Sequence, residues 1–159
     1  MDKNIPIDQN MIDYIFSHTK SLHEVQKKIL KFNDNLGKAK RLQISILQAN
    51  FLQFLIKVNK FKSCLEVGTF TGYSSLSMAL SLPKNGKVYA IDKDIKTNKI
   101  ALNFFKEAKV NNKIFIETNN GINALKKLVK SKKKFDLILI DADKVSYIKY
   151  FNYAVQLIS

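Results

Sequence analysis

Two hydrophobic rhythms divide the chain near residue 62. Before it, apolar residues recur at the three- and four-residue spacing of helices. Met11, Ile12, Tyr14, Ile15, Leu22, Val25, Ile29 and Leu30 predict helix over residues 8–33, broken at His18-Thr19-Lys20-Ser21. Ser21 would cap the second piece, with Glu24 three residues on completing a capping box. Asn33-Asp34-Asn35-Leu36-Gly37 reads as a turn. Residues 43–58 predict another amphipathic helix, with Ile44, Leu47, Phe51, Phe54, Leu55 and Val58 on one broad stripe.

Beyond residue 62, short apolar runs alternate with helical patterns. Strands are predicted over 63–67, 87–91, 113–117 and 135–140, and helices over 72–81, 95–108, 122–130 and 145–157. Pro83 and the turn Lys84-Asn85-Gly86 stop the first of these helices. The last strand is nearly all apolar, which predicts burial on both faces. Repeated strand-helix units imply an α/β fold with a parallel sheet and right-handed crossovers. No repeat, low-complexity segment or linker interrupts the chain. The expected organisation is one domain, with a helical segment over 1–60 packing on an α/β core over 61–159.

At 159 residues, a single domain with a real core is expected. No apolar run is long enough to span a bilayer, and Met1-Asp2-Lys3-Asn4-Ile5-Pro6 has no signal-peptide character. Cys64 is the only cysteine and sits in an apolar strand, so neither a disulfide within one chain nor a thiolate metal cluster is expected. A cytoplasmic location and no membrane partner fit. The net charge of +14 invites a nucleic-acid reading, but of 27 basic residues only Arg41 is an arginine. Arginine is the residue that builds planar forks to phosphates and base edges. The lysines are spread along the chain. The densest group, Lys126, Lys127, Lys130, Lys132, Lys133 and Lys134, reads as a solvated helix end and loop.

Two clusters carry candidate chemistry. The first is Cys64-Leu65-Glu66-Val67-Gly68-Thr69-Phe70-Thr71-Gly72-Tyr73-Ser74, followed by Tyr89-Ala90-Ile91-Asp92. Gly68 and Gly72 bracket a strand-to-helix turn where a ligand could approach the backbone closely. Asp92 ends the next strand, where an acid can accept hydrogen bonds from ribose hydroxyls. The glycine spacing is not the dinucleotide pattern G-x-G-x-x-G. Glu66, just before Gly68, would repel a pyrophosphate and suits a cationic amino-acid group. Those residues favour S-adenosylmethionine over NAD, although an ordinary tight turn with a strand-end Asp would carry them too. The second cluster is Asp141-Ala142-Asp143-Lys144, leaving the carboxyl end of the strand over 135–140. Asp141 could ligate a hard divalent cation. Lys144 could help remove a proton from an acceptor hydroxyl. A solvated charge cluster at a strand exit is the alternative.

With both clusters in view, the chain resembles the cation-dependent O-methyltransferases that act on catechols and caffeoyl-CoA, together with their small bacterial relatives. Leu65-Glu66-Val67-Gly68-Thr69-Phe70-Thr71-Gly72-Tyr73-Ser74 is similar to that family's first motif. Ile140-Asp141-Ala142-Asp143-Lys144, with Tyr147 after it, is similar to its metal-strand motif. Leu42-Gln43-Ile44-Ser45 and the helices bearing Tyr14 and His18 also fit. The resemblance implies a Rossmann-like class I methyltransferase sheet with N-terminal helices. It implies S-adenosylmethionine as cofactor, a divalent cation (magnesium), and methyl transfer to a hydroxyl of a small phenolic or catechol-like acceptor. It further implies that Ile44, Glu66, Gly68, Thr69, Gly72, Ser74, Asp92, Ala124 and Asp143 bind cofactor. Asp141 would be the metal ligand, Asp141 and Lys144 would serve catalysis, and a homodimer would be expected.

The resemblance has departures. Ile46 and Ala49-Asn50 stand where the family often has Pro and a Gly-Gln pair. In the family a further strand delivers an Asp-Asn pair to the metal, and more strands close the sheet. Here no Asp or Glu follows Asp143 before Ser159. The C-terminal strands are therefore expected to be missing and the metal site incomplete, as in a fragment or a truncated gene. A non-catalytic cofactor-binding domain is one alternative function. An RNA methyltransferase, motivated by the charge, is another, but Asp-Ala-Asp-Lys is not the motif such an enzyme uses to seat a base.

Overall fold

A computed structural model describes residues 8–19 and 21–159. The segment Met1–Pro6 and Lys20 of the predicted break lie outside the described residues. The order is α1 (Gln9–Ser17), α2 (Glu24–Asp34), a 3-10 helix (Gly37–Leu42) and α3 (Ile46–Val58). Then come β1 (Ser63–Val67), α4 (Tyr73–Ser81), β2 (Lys87–Asp92), α5 (Ile95–Glu107), β3 (Ile114–Thr118), α6 (Gly121–Lys130), β4 (Leu137–Ile140) and α7 (Tyr147–Leu157). The four strands form one all-parallel sheet in the order β3-β2-β1-β4. The α/β class and the parallel sheet read from the sequence are therefore what the chain adopts.

The sheet works by strict two-residue alternation, which sends successive side chains to opposite faces. Cys64, Val88, Ala90, Leu137 and Leu139 enter one core, with Leu76 and Met78 of α4, Ala101 and Phe105 of α5, and Ile29 and Ile56 of the N-terminal helices. Leu65, Val67, Tyr89, Ile91, Ile138 and Ile140 enter the other, with Leu125 of α6 and Tyr150 and Leu157 of α7. Helix α4 is buried over Tyr73–Ala79 because α2 and α3 cover its outer side. The N-terminal helices and the sheet thus share one core.

Four expectations change. The α2 cap is His23, not Ser21. The His23 imidazole accepts from the Val25 N–H at 3.2 Å, and the Gln26 side chain accepts from the His23 N–H at 3.0 Å. Glu24 then falls in the first exposed turn, where it pairs with Lys27 at 2.7 Å. The helix expected from residue 43 begins at Ile46, after the Ser45 cap, and the 3-10 helix precedes it. On α3, Ala49, Leu52 and Ile56 face the core, whereas Phe51, Phe54 and Val58 are 59%, 59% and 60% exposed. Residues two positions apart along a helix point roughly 200° apart, so the face bearing Phe51, Phe54 and Val58 points away from the one, Ala49, Leu52 and Ile56, that enters the core. Finally, β4 is half-buried rather than covered on both faces, because it is the sheet edge. Phe135 lies outside the strand and makes an isolated parallel bridge with Ile158.

Gly72 caps α4 at φ +89°, and a Cβ there would lie 2.7 Å from the Phe105 ring and 2.9 Å from Ala101 Cβ. Gly72→Ala is therefore expected to lower unfolding free energy by about 3 kcal/mol, from backbone strain plus overpacking. Urea denaturation checks this. A loss below about 1 kcal/mol would mean that the Phe105 ring simply moves aside.

Candidate functional site: a cleft at the strand ends

The carboxyl ends of the strands open into a cleft of about 1090 Å³. It sits where the chain reverses its progress across the sheet, since β2 flanks β1 on one side and β4 on the other. Open parallel sheets bind ligands at such a switch point. The turn from β1 to α4 forms its floor. Gly68, at φ +96°, donates its N–H to Ile91 O at 2.9 Å, and a Cβ there would overlap the Asp141 carbonyl. Only glycine lets β1 and β4 close at this point. Gly72 closes the other end of the turn, its N–H reaching Thr69 O at 2.9 Å.

Asp92 holds the turn from the β2 side. Its Oδ2 accepts the backbone N–H groups of Thr69 at 2.9 Å and Phe70 at 2.8 Å, and Oδ1 accepts that of Asp94 at 2.9 Å. Phe70 is held at φ +50°, a strained conformation for an aromatic residue, and lines the cleft. Across the cleft, the β4–α7 loop presents Asp141, Asp143 and Lys144. The Lys144 ammonium lies 3.6 Å from Asp141 Oδ1 and 5.2 Å from the Tyr147 ring centre. Asp143 accepts the Ser146 N–H at 2.8 Å on one oxygen and the Tyr150 hydroxyl at 2.5 Å on the other. The Tyr150 and Ser146 hydrogen bonds hold the Asp143 carboxyl below the usual carboxylate range. Four carboxylates, Asp92, Asp94, Asp141 and Asp143, thus line one cleft together with Arg41, Lys93 and Lys144, in a chain whose net charge is +14.

The sequence profile of a family described as O-methyltransferase matches residues 16–159. The chain belongs to this family. A catechol O-methyltransferase from Niastella koreensis is 34% identical over 146 residues, covering 91% of this chain and 61% of that protein. A caffeoyl-CoA O-methyltransferase from Populus kitakamiensis is 38% identical over 124 residues, covering 77% of this chain and 53% of that one. The crystal structure of an O-methyltransferase from Bacillus cereus in complex with SAH superposes with a TM-score of 0.82 at 27% identity, covering 94% of this chain and 68% of that chain. The chain spans about six-tenths of the length of the curated relatives it matches.

Of the residues singled out in the sequence, Ile44, Gly68, Asp92, Asp141, Asp143 and Lys144 line the cleft together. The others lie beneath it. Thr69 and Ser74 are nearly enclosed, Gly72 faces Phe105, and Ala124 is wholly buried against Leu125 and Val67. Glu66 is fully buried under α4, hydrogen-bonded to the Ser75 hydroxyl, while its Oε1 and the Thr71 hydroxyl have no partner among the described residues. Sequence reasoning missed Tyr150, Gly121 and Asn120, which also line the cleft. Asn120 caps α6, accepting the N–H of Ile122 at 3.0 Å, so the Asn-Gly pair before an apolar helix was the available signal. Tyr150 had none, because it reaches Asp143 only through the α7 turn. Among the described residues, no helix is long and apolar enough to cross a membrane.

Burial pushes the Glu66 carboxyl up to about 7 from 4.5, while the hydroxyls of Ser74, Ser75 and Thr69 partly offset it. Between those two values the folded chain keeps a proton that the unfolded chain releases. Glu66 therefore favours folding most below pH 4.5, and the advantage fades as pH rises through about 7. The difference amounts to about 3 kcal/mol across the window. Comparing urea midpoints of the native chain and Glu66→Gln at pH 5 and pH 8 measures it. The substitution should flatten the profile, and parallel profiles would place the titration elsewhere.

Proposed function

We propose that the cleft binds S-adenosylmethionine, and that this chain is the cofactor-binding part of an enzyme methylating a hydroxyl of a small phenolic or catechol-like acceptor. The observation that carries this reading is the gathering of four carboxylates in a cleft that also holds Arg41, Lys93 and Lys144, within a strongly basic chain. Its local excess of carboxylate over cation, against the charge of the rest of the chain, favours a ligand bearing a sulfonium and an ammonium over one bearing phosphates. The strand-end carboxylate Asp92 suits a ribose hydroxyl, since Oδ1 takes one turn contact and keeps a lone pair, while both sites of Oδ2 are used by the turn. The names of the relatives add the acceptor class.

When bound, the cofactor supplies an electrophilic methyl group. The chain's residues supply position. Gly68 brings the floor close, Asp92 fixes the ribose end, and Asp143 meets the amino-acid end. Ile44 closes the side of the cleft beside the 3-10 helix. The acceptor oxygen would approach from the side of Asp141 and Lys144. That oxygen would take the methyl group and release its proton to solvent, while the Lys144 ammonium, paired with Asp141, would offset negative charge gathering on it. Holding the two reactants in line is the main contribution expected of the site.

The described residues do not by themselves fit a divalent cation. Asp141 offers one carboxylate beside an ammonium, and no group of three or more His, Cys, Asp or Glu gathers among the described residues. Magnesium demands near-octahedral oxygen coordination. Asp141 would be one donor, and the rest would have to come from water, the acceptor, or polypeptide beyond these residues.

Isothermal titration with S-adenosylmethionine tests the reading. Micromolar binding is expected, weakened at least tenfold in Asp92→Ala through loss of charged hydrogen bonds. Added magnesium should change the affinity of this chain by less than about twofold, given one weakly held donor. Unchanged affinity in Asp92→Ala would sink the ribose assignment, and no binding at all would sink the function.

A further inference from the structure

We infer that Tyr150 is a positioning residue, which clamps Asp143 so that its carboxylate meets the amino group of the bound cofactor. The inference rests on the cofactor reading above and adds a residue from α7 to it.

Three elements converge on this side chain. Tyr150 is 3% exposed and packs in the core beneath the cleft with Val67 of β1 and Ala124 of α6. At the start of α6, Gly121 leaves room for it, because a Cβ there would lie 2.9 Å from the Tyr150 ring and 3.0 Å from Val67. From this seat the phenol projects upward and donates to Asp143 Oδ2 at 2.5 Å. The other carboxylate oxygen takes the Ser146 N–H at 2.8 Å. An otherwise exposed loop carboxylate is thereby held on both oxygens, one of them by a donor that cannot move without disturbing the core. Exposed carboxylates have no such tether, and their rotamer freedom opposes binding.

The sheet order says which part of the ligand Asp143 meets. Asp92 ends β2 and Asp143 follows β4, on opposite sides of β1. A ligand across the tip of β1 with its ribose at Asp92 has its amino-acid arm on the β4 side. Asp143 is the clamped anion there, next to Asp141 and Lys144, which are already paired with each other.

Tyr150→Phe keeps the ring and removes the clamp. Affinities for SAH, which carries the amino group, and for 5′-methylthioadenosine, which lacks the amino-acid arm, are measured by calorimetry with EDTA present. The substitution should weaken SAH about tenfold, the range of a hydrogen bond to a charged group. Affinity for 5′-methylthioadenosine should stay within about twofold, as expected where no contact is lost. Asp143→Asn should reproduce that selectivity, and adding Tyr150→Phe to it should cost SAH nothing more. Thermal unfolding of each variant identifies any that fail to fold, and for these the Asp143→Asn comparison between the two ligands stands alone. Equal weakening of both ligands, unchanged SAH affinity, or additive effects in the double variant would overturn the clamp. If the native chain binds neither compound, the cofactor reading itself falls, and the inference with it.

Discussion

The turn after β1 is gripped from both sides, and the cleft exists because of that grip. On the β2 side, a single carboxylate oxygen of Asp92 takes two consecutive backbone N–H groups, those of Thr69 and Phe70. On the β4 side, Gly68 lies so close to the Asp141 carbonyl that no side chain fits between them. Strand pairing alone would bring the three strand ends together, but it would not set the path of the chain beyond them. The Asp92 hydrogen bonds do that, and they hold Phe70 in a conformation it would otherwise avoid. Residues that reach a ligand and residues that shape the turn are thus partly the same.

A second division follows from the pleat. Alternation sends Val67 towards α6 and α7 but Glu66 towards α4, beneath the turn and away from solvent. Glu66 is therefore part of the cleft's foundation, bound to Ser75 beneath the turn rather than open to the space above it. Its neighbours Ser74 and Ser75 are buried with it, as is Ser77, whose hydroxyl instead donates to Tyr73 O at 2.7 Å and accepts from Gln26 at 2.9 Å. The first two hydroxyls give the buried carboxyl something to bond to, and α4 can be polar inside without leaving most of its groups unsatisfied.

Much of this was legible in the sequence where local chemistry decides. The strand-helix rhythm, the glycine turn and the strand-end Asp92 are properties of a few adjacent residues, and their placement follows from them. Outcomes settled by distant packing were not legible. Nothing in 46–58 says that Ala49 rather than Phe51 meets α4. Nothing near Gly72 announces Phe105, which comes from α5 and makes glycine obligatory there. The apolar run before Asp141 reads as a central strand, and its place at the sheet edge is a fact of topology. Tyr150 lies seven residues beyond Asp143, and only the turn into α7 brings the two together.

The bridge between Phe135 and Ile158 fixes a parity. Ser159 donates to Phe135 O at 3.0 Å, and Phe135 donates to Leu157 O at 2.9 Å, so α7 returns the backbone alongside β4 and parallel to it. Any strand extending this pairing along Leu137–Ile140 inherits its register. That register decides which alternate residues turn towards α7 and which towards the α4 side of the sheet. A slip of one position would exchange the two sets entirely. Two hydrogen bonds at the foot of an edge strand therefore carry the instruction for everything that could be laid against it.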